Sequence, residues 1–100
     1  MYNRRKIVVK HVVLWSFNDK KDISIAKELL ESLQGNVPHM LSLEVGVNFN
    51  ENSSAYDLAL ITTHHDRASL EAYQDDSFHG EIRNKLNGIK SSRIFADFEA

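Results

Sequence analysis

The sequence predicts an α+β domain of ferredoxin-like order, βαββαβ, with a four-stranded antiparallel sheet and both helices on one face. Three observations predict it. Four separate segments read as strands, the first by its β-branched and aromatic content, the third by its strand-like composition, and the second and fourth by alternation with a period of two. Between the first and second of these, and again between the third and fourth, apolar residues recur at helical spacing. The second and third are joined by a short polar run, which suits an antiparallel pair.

Ile7 to Phe17 (IVVKHVVLWSF) is rich in β-branched and aromatic residues and reads as the first strand. Its alternation puts Val9, His11, Val13, Trp15 and Phe17 on one face and Val8, Lys10, Val12, Leu14 and Ser16 on the other. Beyond Asn18-Asp19, the residues Ile23, Ala26, Leu29, Leu30 and Leu33 make the apolar stripe of a helix. Asp22 is expected to cap its start, Gly35 to supply a left-handed stop, and Pro38 to prevent continuation. The second strand runs from Leu41 to Phe49, with Leu41, Leu43, Val45, Val47 and Phe49 alternating against smaller or polar residues. After the polar connection Asn50 to Ser54, YDLALITT from Tyr56 to Thr63 forms the third. Asp66 is a natural N-cap for a short helix carrying Leu70 and Tyr73, and Asp75-Asp76-Ser77 breaks it. A further helix follows from about Phe78, with Ile82, Leu86 and Ile89 on its apolar side and Gly88 near its end. Arg93 to Glu99 alternates again and closes the sheet.

Composition narrows the possible chemistry. One hundred residues with 42% hydrophobic and 26% charged content fit one globular domain spanning 1–100, with a short flexible basic N-terminus at about 1–6. The absence of cysteine excludes disulfides, thiolate metal sites and thiol nucleophiles. Net charge is −2 and the basic residues are scattered among acids, so nucleic-acid binding by charge is not expected. The one basic cluster, Arg4-Arg5-Lys6, reads as a solvated chain end rather than a recognition patch. Lys10 and His11 interrupt the apolar run near the start, so neither a signal peptide nor a membrane span is expected, and the expected compartment is the cytoplasm. The four glycines are far apart, no phosphate loop exists, and no cofactor is expected.

With both helices on one face, the other is left open, and Val8, Val12 and Leu14 look outward from the first strand. Burying each such side chain contributes about 1.5–3 kcal/mol, a large amount for a small core. A homodimer joined through the open sheet face is therefore expected. A monomer with a solvated second face would need polar outward residues there, and the first strand supplies only Lys10 and Ser16.

VVKHVVLWSF, NVPHMLSLEVGVNF, YDLALITTHHDRASLEAYQDDSFHGEI and RIFADFE, in this order, resemble the stress-responsive dimeric α/β-barrel family, called Dabb, from about Val9 to Glu99. The resemblance implies a ferredoxin-like subunit whose sheet combines with that of a partner into a barrel. Many members have no assigned reaction; some plant members are stress-associated. One plant relative is a cyclase acting on a polyketide, with a histidine and a tyrosine between sheet and helices. The matching positions are Tyr73 and His79, with His11 facing the same pocket. Two further histidines of that relative fall at Leu58 and Asp76 in this chain.

An imidazole that accepts a proton beside a phenol that donates a hydrogen bond to a developing enolate is a sensible acid–base pair. Tyr73 and His79 are six residues apart, so their meeting requires the break at Asp75 to Ser77. His11, in an apolar strand, is either a core histidine with a hydrogen-bond partner or a wall of the pocket. The expected site is thus His79, Tyr73 and His11, in a ligand pocket lined by Val13, Trp15, Leu58, Leu60, His64 and Phe78. His11, His64, His79 and Asp76 lack the spacing of a metal site, and none is expected. Two functional readings stand. One is a non-enzymatic homodimer that binds a small apolar or aromatic molecule between sheet and helices. The other is a cofactor-independent lyase, cyclase, isomerase or monooxygenase using the Tyr/His pair.

Overall fold

The computed structural model describes residues 7–100; the basic segment 1–6, expected to be a flexible terminus, lies outside the described residues. The elements run β1 (Val9–Phe17), α1 (Asp22–Glu31), β2 (Ser42–Val47), β3 (Leu58–His64), α2 (Arg67–Asp75), α3 (Ser77–Asn87) and β4 (Lys90–Glu99). The strands form one antiparallel sheet in the order β2-β3-β1-β4, the ferredoxin-like arrangement. The expected fold class is therefore observed.

Period-two alternation decides which side chains are buried. On β1 the buried set is Val9, His11, Val13, Trp15 and Phe17, and on β3 it is Leu58, Leu60, Thr62 and His64. They pack against Ala26 and Leu30 of α1, Leu33 just beyond it, Tyr73 of α2, and Ile82 and Leu86 of α3. On the opposite face Val12, Leu14 and Ile61 are only partly buried, and Ile94 and Phe98 of β4 stay 46% and 47% exposed. The helices pack on β1, β2 and β3, which leaves the helix-side residues of β4 open to solvent. Phe95, for example, is 59% exposed. The gap between β4 and α3 is where the cavities lie.

Several boundaries differ from the sequence expectation. Asp22 is the first helical residue of α1 rather than its cap; Lys21 takes the cap position without a side-chain bond, and the Asp19 carboxylate accepts the Lys21 N–H instead. β2 ends at Val47, which leaves Phe49 96% exposed. β4 starts three residues early, at Lys90, because β1 continues pairing with it as far as Phe17 through an irregularity at Ser16/Phe17. Gly35 does adopt the left-handed conformation, with φ 80°. Asp66 caps α2 by accepting the Ser69 N–H.

Candidate functional site

The antiparallel register of β1 and β4 places Asp97 directly beside His11 on the helix side of the sheet. His11 is 2% exposed, so its imidazole needs partners, and its Nδ1–H donates to the Asp97 carboxylate in a close contact. That bond selects one tautomer and leaves Nε2 as the free nitrogen of the neutral ring. Asp97 is partly open to solvent, its side chain being 33% exposed.

α2 stops at Asp75, and Asp76 is extended (φ −62°, ψ 138°) before α3 begins. Its carboxylate accepts the N–H groups of Phe78 and His79, at 2.8 and 3.3 Å, so the break in the helix is also the cap of the next one. The turn brings His79 to Tyr73, with ring centroids 4.6 Å apart. Tyr73 further contacts the ring of His64 at 4.8 Å and that of His11 at 6.4 Å. The three residues expected to form the site are thus gathered around one tyrosine.

Their protonation departs from the simple acid–base picture. The Arg83 Nη2 nitrogen, through its two N–H bonds, donates both to His79 Nδ1, at 3.0 Å, and to the Gln74 carbonyl, at 2.7 Å. The first bond occupies the lone pair of Nδ1, so neutral His79 carries its proton on Nε2. Burial, and then neighbouring positive charge led by Arg83, pushes its pKa down to about 4, against a smaller opposing effect of Asp76. At neutral pH His79 is therefore a hydrogen-bond donor and a poor proton acceptor. Burial pushes Tyr73 up to about 12, so it keeps its proton. Its hydroxyl is buried and makes no hydrogen bond to any described residue; its neighbour Thr62 is bonded to His64.

His64 is fully buried and satisfied. Its Nδ1–H donates to the His39 carbonyl at 2.7 Å, and the Thr62 hydroxyl donates to its Nε2 at 2.8 Å. Burial lowers its pKa, and the His39 bond opposes that shift. His39 itself is held at φ 71°, which directs its carbonyl to this bond.

Two neighbouring spaces open at this cluster. The inner one, about 40 Å³, is walled by Val13, Trp15, Leu30, Leu33, Leu60 and Leu86, with His11, His79, Arg83, Asn87 and Arg93 as its polar lining. The outer one, about 510 Å³, shares His11, His79, Arg83 and Arg93 and is completed by Phe95 and the Gln74 to Ser77 turn. Of the expected lining, Val13, Trp15 and Leu60 border the inner cavity. Leu58, His64 and Phe78 do not: Leu58 and His64 are sealed in the packed core, and Phe78 packs at its margin. Tyr73 lies behind the wall, in contact with both imidazoles but lining neither space. Asp97, Arg83 and Arg93 were missed by the sequence reading. The i,i+4 spacing of His79 and Arg83 could have revealed one of them. Among the described residues no group of three or more His, Asp or Glu side chains converges as a metal site.

Residues 9–100 match the model of the stress responsive A/B barrel domain family. The chain belongs to the Dabb family. This Dabb chain is similar to a dimeric protein of unknown function and ferredoxin-like fold from Bacteroides fragilis, with 25% identity over 93% of this chain and 96% of the other, and a TM-score of 0.79. It is similar in fold to a dimeric ferredoxin-like protein of unknown function from Thermobifida fusca (18% identity, 96% and 93% covered, TM-score 0.82). A hydroxynitrile lyase from Passiflora edulis shares the fold at 14% identity (96% and 95% covered, TM-score 0.83). No curated protein matches the Dabb chain in sequence. Among the described residues no helix is long and apolar enough to cross a membrane.

Proposed function

We propose that this Dabb chain is a homodimer joined through its open sheet face, and that each subunit binds a small apolar or aromatic molecule between sheet and helices. The observation that carries the binding reading is the pair of adjoining spaces, about 40 and about 510 Å³, where an apolar wall meets two imidazoles with defined tautomers. Both imidazoles are aimed by a bond on the far side of the ring. Dimer formation is supported by the apolar outer face of β1 and β4 and by the dimeric state of similar proteins from Bacteroides fragilis and Thermobifida fusca. The test is a ligand-observed screen of small aromatic and aliphatic molecules against the wild type and His79→Ala. Hits that weaken in the variant are expected; equal affinity in both proteins would remove His79 from the site.

The His11–Asp97 pair favours a second reading, a cofactor-independent enzyme of the lyase, cyclase or isomerase kind. A carboxylate on Nδ1–H orients an imidazole and stabilises the charge it acquires on taking a proton through Nε2. His79 Nε2–H is the donor near at hand for a developing enolate, whereas the Tyr73 phenol, which lines neither space, is packed away from it. If this holds, bound ligands with an acidic C–H exchange it for deuterium faster in the presence of protein. Asp97→Asn should then slow that exchange about 100-fold while ligand affinity changes little. Exchange at the solvent rate in the wild type would leave the binding reading alone standing.

A further inference from the structure

The inner cavity carries no acidic residue in its lining, yet two guanidinium groups, Arg83 and Arg93, border it. Arg93 projects from β4 beside Trp15, its strand partner, and its guanidinium carbon lies 4.9 Å from the centre of the Phe95 ring and 5.9 Å from that of Trp15. Among the described residues it has no ion pair and no side-chain hydrogen bond. The nearest acid, Asp97, is committed to His11. Arg83 uses the two N–H bonds of Nη2 for Gln74 and His79, and its Nη1 and Nε make no side-chain hydrogen bond among the described residues. Partial burial lowers the pKa of Arg93, with the charge of Arg83 adding to the effect and Asp97 opposing it. Two like charges at the rim of an apolar space, neither ion-paired among the described residues, offer N–H donors to an anion. In the outer cleft, Asp75 and Asp76 are the acids present, and Asp76 is occupied as the cap of α3.

We infer that the ligand of this pocket is an amphipathic monocarboxylate, with its carboxylate held between Arg93 and Arg83 and its apolar body laid against Trp15, Leu30 and Leu60. This rests on the ligand-binding reading above and gives the ligand its chemical class. The geometry asks for a planar anion that can take paired N–H bonds, attached to an apolar body whose tip enters the inner space, of about 40 Å³, while the rest lies along the outer one, of about 510 Å³.

Trp15 is the single tryptophan of the chain and its fluorescence reports occupancy directly. The full chain is titrated with hydrocinnamate and hydrocinnamamide, and with octanoate and octanamide. At least one acid is expected to bind about tenfold more tightly than its amide in the wild type, the difference that charge-assisted hydrogen bonds supply. In Arg93→Gln that preference should vanish, in Arg93→Lys it should persist in part, and in Lys27→Gln, on the far side of α1, it should be unchanged. Thermal unfolding of each variant confirms that it is folded. A stronger response to hydrocinnamate identifies an aromatic acid and a stronger response to octanoate a fatty acid; either fulfils the inference. Acid and amide binding equally would overturn it and leave the pocket reading intact, whereas no binding of any of the four would overturn both.

Discussion

At His11 the decisive partner is a carboxylate 86 residues away in sequence. A histidine in an apolar strand announces that it needs a hydrogen bond, and this much is legible from Val9 to Val13 alone. Asp97 is not legible, because β1 and β4 are joined by no hairpin and only their folded register sets the pairing. Arg93, opposite Trp15, is hidden for the same reason. Protonation also depends on packing. Because the folded pKa of His79 lies near 4 and an unfolded histidine titrates near 6.5, the unfolded chain binds more protons between these values. Stability is then fully present above pH ~6.5 and is lost as pH falls towards 4. Urea unfolding at pH 7 and pH 4.5 should show that loss, reduced in His79→Gln by on the order of 1–2 kcal/mol once solvent screening of a partly exposed ring is allowed for. Tyr73→Phe tests the orphan hydroxyl: removing a buried, unbonded O–H should leave stability unchanged or raise it by about 1 kcal/mol, measured the same way. A loss of several kcal/mol would mean that the hydroxyl is bonded after all.

Among the elements, the junction of α2 and α3 matters most to the site. The run Asp75-Asp76-Ser77 makes the interruption readable, since two acids and a serine favour a cap over a continued turn. The consequence is readable too: residues six apart meet only if the helix axis changes. The ends of β2 and β4 were less legible, because alternation continues into Phe49 while pairing stops, and the polar run Lys90 to Ser92 pairs although its composition does not suggest it. Asp66 and Asp76 both cap helices, which permits a controlled comparison. Asp66→Ala and Asp76→Ala should each cost about 1 kcal/mol in chemical denaturation. Ligand affinity should fall only in Asp76→Ala, because that carboxylate also positions the backbone of His79. Equal affinity in the two variants would show that the junction does not control the site.

For the whole molecule, the helical layer covers one face of the sheet and leaves Val12, Leu14, Ile61, Ile94 and Phe98 without a cover of their own. This asymmetry was the most legible feature of all, since helical segments of ferredoxin-like order fall on a single face of the sheet. Water against that face would forgo about 1.5–3 kcal/mol for each side chain that a twin sheet could bury. In the proposed two-fold pairing every such gain would be repeated, so that association would add to the stability of a small domain. Sedimentation equilibrium of the wild type beside Val12→Asp puts this to the test. The account predicts twice the chain mass for the wild type and a single chain, folded or partly unfolded, for the variant; a wild type of single-chain mass at micromolar concentration would contradict it.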